Sequence, residues 1–101
     1  MKHKFSNFSE FYPYYLSQHS NNICRRFHFL GVISSLLTFV ALTLTFKWAY
    51  IPLVPFIGYV FGWTGHFFFE KNKPASFDYP FYSFWGDIMM AKDIILGELN
   101  L

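Results

Sequence analysis

Polar and apolar positions separate into long blocks along the 101-residue chain. FLGVISSLLTFVALTLTF, Phe29 to Phe46, carries no charge, and WAYIPLVPFIGYVFGWTGHFFF, Trp48 to Phe69, carries none unless His66 is protonated. Each run is long enough to cross ~30 Å of hydrocarbon as a helix. Pro52 and Pro55 fall in the first turns of the second run, where a missing N–H donor costs least. Lys47 lies between Phe46 and Trp48, so the connection is very short and the two helices must run antiparallel. The prediction is a hairpin of two spanning helices, over 22–46 and 49–72.

The flanks have a different pattern. SNFSEFYPYYLSQHSNN predicts a short amphipathic helix over 6–19, with Asn7 and Glu10 at capping-box spacing. Phe8, Phe11, Tyr12 and Tyr15 form an aromatic face expected at the membrane interface. Asn21 or Asn22 supplies a cap for the first spanning helix. Pro74 ends the second one. From Pro80, the stretch PFYSFWGDIMMAKDIILGEL has apolar residues at roughly helical spacing, but Asp87, Lys92 and Asp93 argue against a third span. An interfacial helix over 80–97, on the same side of the membrane, is predicted instead. The fold class expected is all-α: a single integral membrane domain, 1–101, built as a helical hairpin with flanking interfacial amphipathic helices.

Composition strengthens the membrane reading. Only 14% of the residues are charged, against about 25% in an ordinary soluble domain, while 53% are hydrophobic and 25% aromatic. A net charge of +2 with no basic block gives no reason to expect a nucleic-acid partner. The single cysteine, Cys24, has no internal partner for a disulfide. The first 20 residues lack the apolar core and small-residue cleavage site of a signal peptide. Lys2, Lys4, Arg25 and Arg26 precede the hairpin, Lys71, Lys73 and Lys92 follow it, and only Lys47 sits at the tip. The positive-inside rule then puts both termini in the cytoplasm, with a bacterial inner membrane as the expected location.

Candidate chemistry follows from depth in the hairpin. His28 lies 19 residues before Lys47 and His66 lies 19 after it. At 1.5 Å per residue both stand roughly 28 Å from the tip. Glu70 is one turn beyond His66 on the same face, and His19 can fold back over that level. A lone histidine at a helix end is most simply a hydrogen-bonded or snorkelling residue. Three imidazoles and a carboxylate at one depth are instead a plausible ligand set for iron or zinc. His3 is set aside as part of a frayed terminus. Arg25 and Arg26 are topology anchors first and candidate partners of a carboxylate headgroup second. Asp87 is either an exposed helix residue or a partner of the cluster. Gly58, Gly62 and Gly65 are expected to pack closely on the first helix near Gly31, Ser34 and Ser35. Four histidines are too few for a di-iron membrane desaturase.

FYPYYLSQHSNNICRRFH, GYVFGWTGHFFFEKNKPASF and YPFYSFWGDIMM together resemble the 2-hydroxy fatty acid dioxygenase family of small membrane proteins, roughly from Phe8 to Met90. The yeast representative of that family is an endoplasmic reticulum enzyme of phytosphingosine breakdown that uses Fe(II) and O2. The resemblance implies a metal held by His19, His28 and His66, and removal of one carbon from a 2-hydroxy fatty acid. Glu70, Lys71, Pro74 and Ala75 match the segment after the last family histidine. Eukaryotic members carry additional hydrophobic sequence between the two motif blocks, with polar positions that this chain does not match.

The leading expectation is therefore an Fe(II)-dependent dioxygenase of fatty acid α-oxidation. His19, His28 and His66 would be ligands, Glu70 a ligand or a group orienting His66, and Arg25 or Arg26 a partner of the substrate carboxylate. Its expected partners are the membrane and a lipid or fatty acid substrate, and homo-oligomerisation stays open. The rival readings are a non-catalytic membrane protein binding a headgroup or partner subunit, and a b-type haem protein with His28 facing His66.

Overall fold

The structure, a computed structural model, describes residues 5–99; Lys2, His3 and Lys4 lie outside the described residues. Within them are four α-helices and no strand: α1 (Phe8–Ser17), α2 (Asn22–Leu44), α3 (Val54–Gly65) and α4 (Pro80–Ile95). The Asn7 side chain accepts from the Glu10 N–H at 2.9 Å, and the Glu10 carboxylate accepts from the Ser6 N–H at 3.0 Å. The expected capping box thus closes with its return leg one residue earlier. Asn21 caps α2, its side-chain oxygen accepting from the N–H groups of Ile23 and Cys24 at 2.8 and 3.2 Å.

α2 and α3 form the hairpin. The chain turns at Phe46, whose φ of 59° is left-handed, and Trp48 Nε1 donates to the Thr43 carbonyl at 3.2 Å. Gly31 allows the close approach, since a Cβ there would meet Phe61 Cβ at 2.9 Å. Outward-facing Leu37, Val40 and Leu44, with Leu53, Phe56 and Val60, leave an apolar belt around the hairpin. Asn22–Leu44 and Trp48–Glu70 are both long and apolar enough to cross a membrane.

The second of these is not one uniform α-helix. It begins as a 3-10 helix, Trp48–Leu53, and ends in a π turn, His66–Glu70. Pro52 and Pro55 lie in its opening turns, where no N–H is required of them. At the other end the Lys71 N–H reaches the His66 carbonyl at 2.6 Å, and Lys71 itself is left-handed (φ 60°), which ends the helix.

The link to α4 is pinned by the Lys73–Asp78 ion pair at 3.1 Å and by Trp63 Nε1 donating to Ser76 Oγ at 3.2 Å. α4 packs on α1 and α2. Phe11 and Tyr15 of α1 are buried with Ala75 and Met90, so that part of the expected interfacial aromatic face belongs to the core. Gly86 makes room for it: a Cβ there would stand 2.9 Å from Tyr15 Cδ2.

Candidate metal centre

Three elements each deliver one histidine. His19 follows the end of α1, His28 lies in the second turn of α2, and His66 sits where α3 passes into the π turn. All three are buried, at 1, 8 and 1% exposure. Their ring centroids are 4.2 Å (His19–His28), 4.4 Å (His19–His66) and 4.8 Å (His28–His66) apart, with planes crossed at 84, 73 and 82°. The shared depth expected of His28 and His66 becomes direct proximity, with His19 folded over both. Gly62 leaves the space that the His28 ring fills, since a Cβ on it would lie 2.8 Å from His28 Cε1.

The partners of the ring nitrogens assign the tautomers. His19 Nδ1 is 2.6 Å from the Tyr15 carbonyl, which can only accept, so Nδ1 carries the hydrogen. His66 Nδ1 is 2.6 Å from Asn72 Oδ1. The Asn72 amide nitrogen donates to the carbonyl and Oε1 of Gln18 at 3.1 and 3.2 Å, which fixes Oδ1 toward the histidine. His28 Nδ1 donates to Asp87 Oδ1 at 3.1 Å, and the same oxygen accepts from the Tyr15 hydroxyl. Burial, with the negative charge of Asp87, pushes the Tyr15 phenol well above its usual pKa and keeps it a donor.

With each Nδ1 committed, each Nε2 presents a lone pair. His19 Nε2 stands 3.1 Å from His28 Nε2 and 2.9 Å from His66 Nε2, and three neutral imidazoles bonded in this way leave no hydrogen to place between them. Three converging lone pairs repel unless a cation sits among them. Burial first, then the His28 and His66 imidazoles, push the pKa of His19 well below its ordinary value, so a proton is a poor occupant there. Nitrogens bound at about 2.0–2.1 Å to one metal, at right angles, stand about 3 Å apart. The two spacings from His19 fit that requirement, and one ring nitrogen of each histidine lies within 4.8 Å of the others.

A cavity of about 340 Å³ opens onto this cluster. His19, His28, His66, Ser83 and Asp87 line one part of it; Val32, Leu36 and Phe39 of α2 and Ile51, Val54 and Gly58 of the opposite span line the rest, toward the hairpin tip. A polar, metal-competent end and an apolar groove suit a molecule with a reacting head and a hydrocarbon tail.

Other expected site residues fall elsewhere. Glu70 accepts from Ser20 Oγ at 2.8 Å and the Asn21 N–H at 2.7 Å, tying the helix end to the α1–α2 connection. The π turn rotates it off the His66 face that an α-helical period implies. Asn72, not Glu70, holds His66 Nδ1. Arg25 is half-buried near Tyr12 and His19, Arg26 is exposed, and neither lines the cavity. Asp87 is a partner of the cluster, through His28. Asn72 had no signal in sequence beyond being a polar residue in the EKNKP segment. Tyr15 and Ser83 could have been found from helical spacing, which places Ser83 and Asp87 on one face of α4. A haem between His28 and His66 would have to pass through His19.

No curated protein and no solved structure matches the chain. The family described as 2-hydroxy-palmitic acid dioxygenase Mpo1-like matches residues 5–99, nearly the whole sequence and every residue of the histidine centre. With a match of that extent over this geometry, the chain belongs to the Mpo1-like family.

Proposed function

We propose that this protein holds a ferrous ion on His19, His28 and His66 and shortens a 2-hydroxy fatty acid by one carbon at the membrane interface. The observation that carries the reading is the convergence of three Nε2 lone pairs, 2.9 and 3.1 Å from His19 to its neighbours, at one end of an apolar cavity. Family membership supplies the reaction class. In overall balance, one 2-hydroxy acid and one O2 give the acid one carbon shorter, CO2 and water. The bound ion would supply the redox chemistry with O2 that no side chain in the cavity can supply.

The rest belongs to the chain's own residues. Tyr15, Asn72 and Asp87 hold the three Nδ1–H groups and so aim the Nε2 atoms inward. The groove between α2 and α3 takes the hydrocarbon tail, with Val32, Leu36 and Phe39 on one wall and Ile51 and Val54 on the other. Burial of the imidazoles keeps bulk water from the reacting end. The lysine and arginine pattern supports a hairpin with both termini cytoplasmic.

The test is to incubate iron-loaded protein in detergent with 2-hydroxypalmitate and with palmitate, with and without O2, and to analyse the acids by mass. Pentadecanoate should form from the 2-hydroxy acid alone, and only with O2. Full iron occupancy without shortened product would favour a non-catalytic lipid- or partner-binding role for the same centre.

A further inference from the structure

Ser83 is the one residue lining the cavity whose polar atom is buried and, among the described residues, has no hydrogen-bond partner. It is 4% exposed. A helical serine commonly bonds the carbonyl one turn back, yet here only the Ser83 backbone N–H uses the Tyr79 carbonyl, at 2.9 Å. A buried hydroxyl left unsatisfied is costly, so a position that keeps one asks what fills it. Ser83 stands one turn before Asp87 on the buried face of α4, which also carries Gly86 and Met90. Asp87 in turn holds His28. The open hydroxyl therefore belongs to the polar end of the cavity, not to the groove that would hold a tail.

We propose that the Ser83 hydroxyl is the protein's hydrogen-bond donor to the oxygen-bearing head of the substrate, a long-chain hydroxy acid. The inference rests on the reading of the cavity as an acyl-chain site. Asp87, a carboxylate, cannot donate to an anionic head, and its Oδ1 already accepts from Tyr15 and His28. Ser83 Oγ carries the free donor in the same stretch of wall. A head bonded there sits one helical turn from the residue that orients His28, with its tail directed between α2 and α3. Ser83 is thus assigned as a substrate-binding residue and not as a ligand of the centre.

The experiment measures equilibrium binding of labelled 2-hydroxypalmitate and of hexadecane, which has the tail without the head, to the iron-loaded full chain under anaerobic conditions. The variants are the parent and Ser83→Ala. The proposal expects Ser83→Ala to bind the hydroxy acid about tenfold more weakly, equivalent to about 1.4 kcal/mol, with hexadecane binding unchanged. The ligand-free melting temperature should be unchanged or higher, because the substitution removes an unsatisfied group. Binding of the hydroxy acid within twofold of the parent would overturn the proposal, as would equal losses for both ligands, which would mark a packing defect. A parent that binds neither ligand would overturn the acyl-chain reading itself. A parent that binds both, with an unaffected Ser83→Ala, would leave that reading standing and remove Ser83 alone.

Discussion

Gly62 and His28 are fitted to each other: a methyl group on Gly62 would lie 2.8 Å from Cε1 and 3.2 Å from Nδ1 of the imidazole. The ring cannot retreat freely, because Nδ1 is bonded to Asp87 and Nε2 faces His19. Gly62→Ala is expected to displace the ring and weaken metal binding by tenfold or more, with an overpacking cost of about 1–3 kcal/mol. Gly58→Ala is the control. Its Cβ would meet only Ser35 Oγ at an ordinary 3.7 Å, and metal binding should survive. Metal titration of both variants, with helix content checked by circular dichroism, tests the pair.

Asp87 links α4 to the centre through His28 and to α1 through Tyr15. Asp87→Asn removes the charge and offers an amide donor that can turn the imidazole to its other tautomer. Metal affinity should fall by about 10- to 100-fold, the usual effect of losing such an orienting partner. Tyr15→Phe, which leaves Asp87 in place, should cost less. Equal affinity in Asp87→Asn and the parent would mean that the Asp87–His28 contact does not orient the ligand.

Glu70 is expected to matter for stability and not for metal. Its carboxylate ties the α1–α2 connection to the end of the second span through Ser20 and Asn21. Glu70→Ala should lower stability by about 1–2 kcal/mol, read as a drop in melting temperature, and leave metal stoichiometry unchanged. Loss of the metal with unchanged melting temperature would return Glu70 to the centre.

Tyr12 donates to Asp93 Oδ2 at 2.6 Å, joining α1 to α4. That bond, first among the causes, lowers the Asp93 pKa from its ordinary 3.8. The folded carboxylate therefore binds its proton less readily than the unfolded one. The resulting stability is present above pH 3.8 and is lost as pH falls below it toward the lowered value. Burial, followed by the Asp93 bond, raises the Tyr12 pKa, so the hydroxyl remains a donor throughout this range. Melting temperature should fall as pH drops below 3.8, and less steeply in Tyr12→Phe than in the parent. Identical slopes would contradict the assignment.

The hairpin and the histidine set were legible in the sequence because both depend on one-dimensional quantities. Apolar run length marks the two helices, and equal distance from Lys47 brings His28 and His66 to one level. His19 followed from its place just before an asparagine cap. The partners of the ring nitrogens were less accessible. Asn72 reaches His66 only because the π turn and the left-handed Lys71 bend the chain back. The same turn takes Glu70 off the face that an i, i+4 spacing implies. Tyr15 was read as an interfacial aromatic because its burial depends on α4 docking against α1, and Gly86 permits that only in three dimensions. Arg25 and Arg26 lie within a turn of His28 in sequence, but rotation about the α2 axis keeps both off the cavity wall.

His19, His28 and His66 are proposed to form one ferrous site. Anaerobic Fe(II) titration of the purified chain, with elemental analysis after removal of free metal, tests it most directly. One tightly held iron per chain is expected, lost in His19→Ala, His28→Ala and His66→Ala alike and retained in His3→Ala. Iron retained at parent stoichiometry in any of the first three variants, or none bound by the parent, would contradict it.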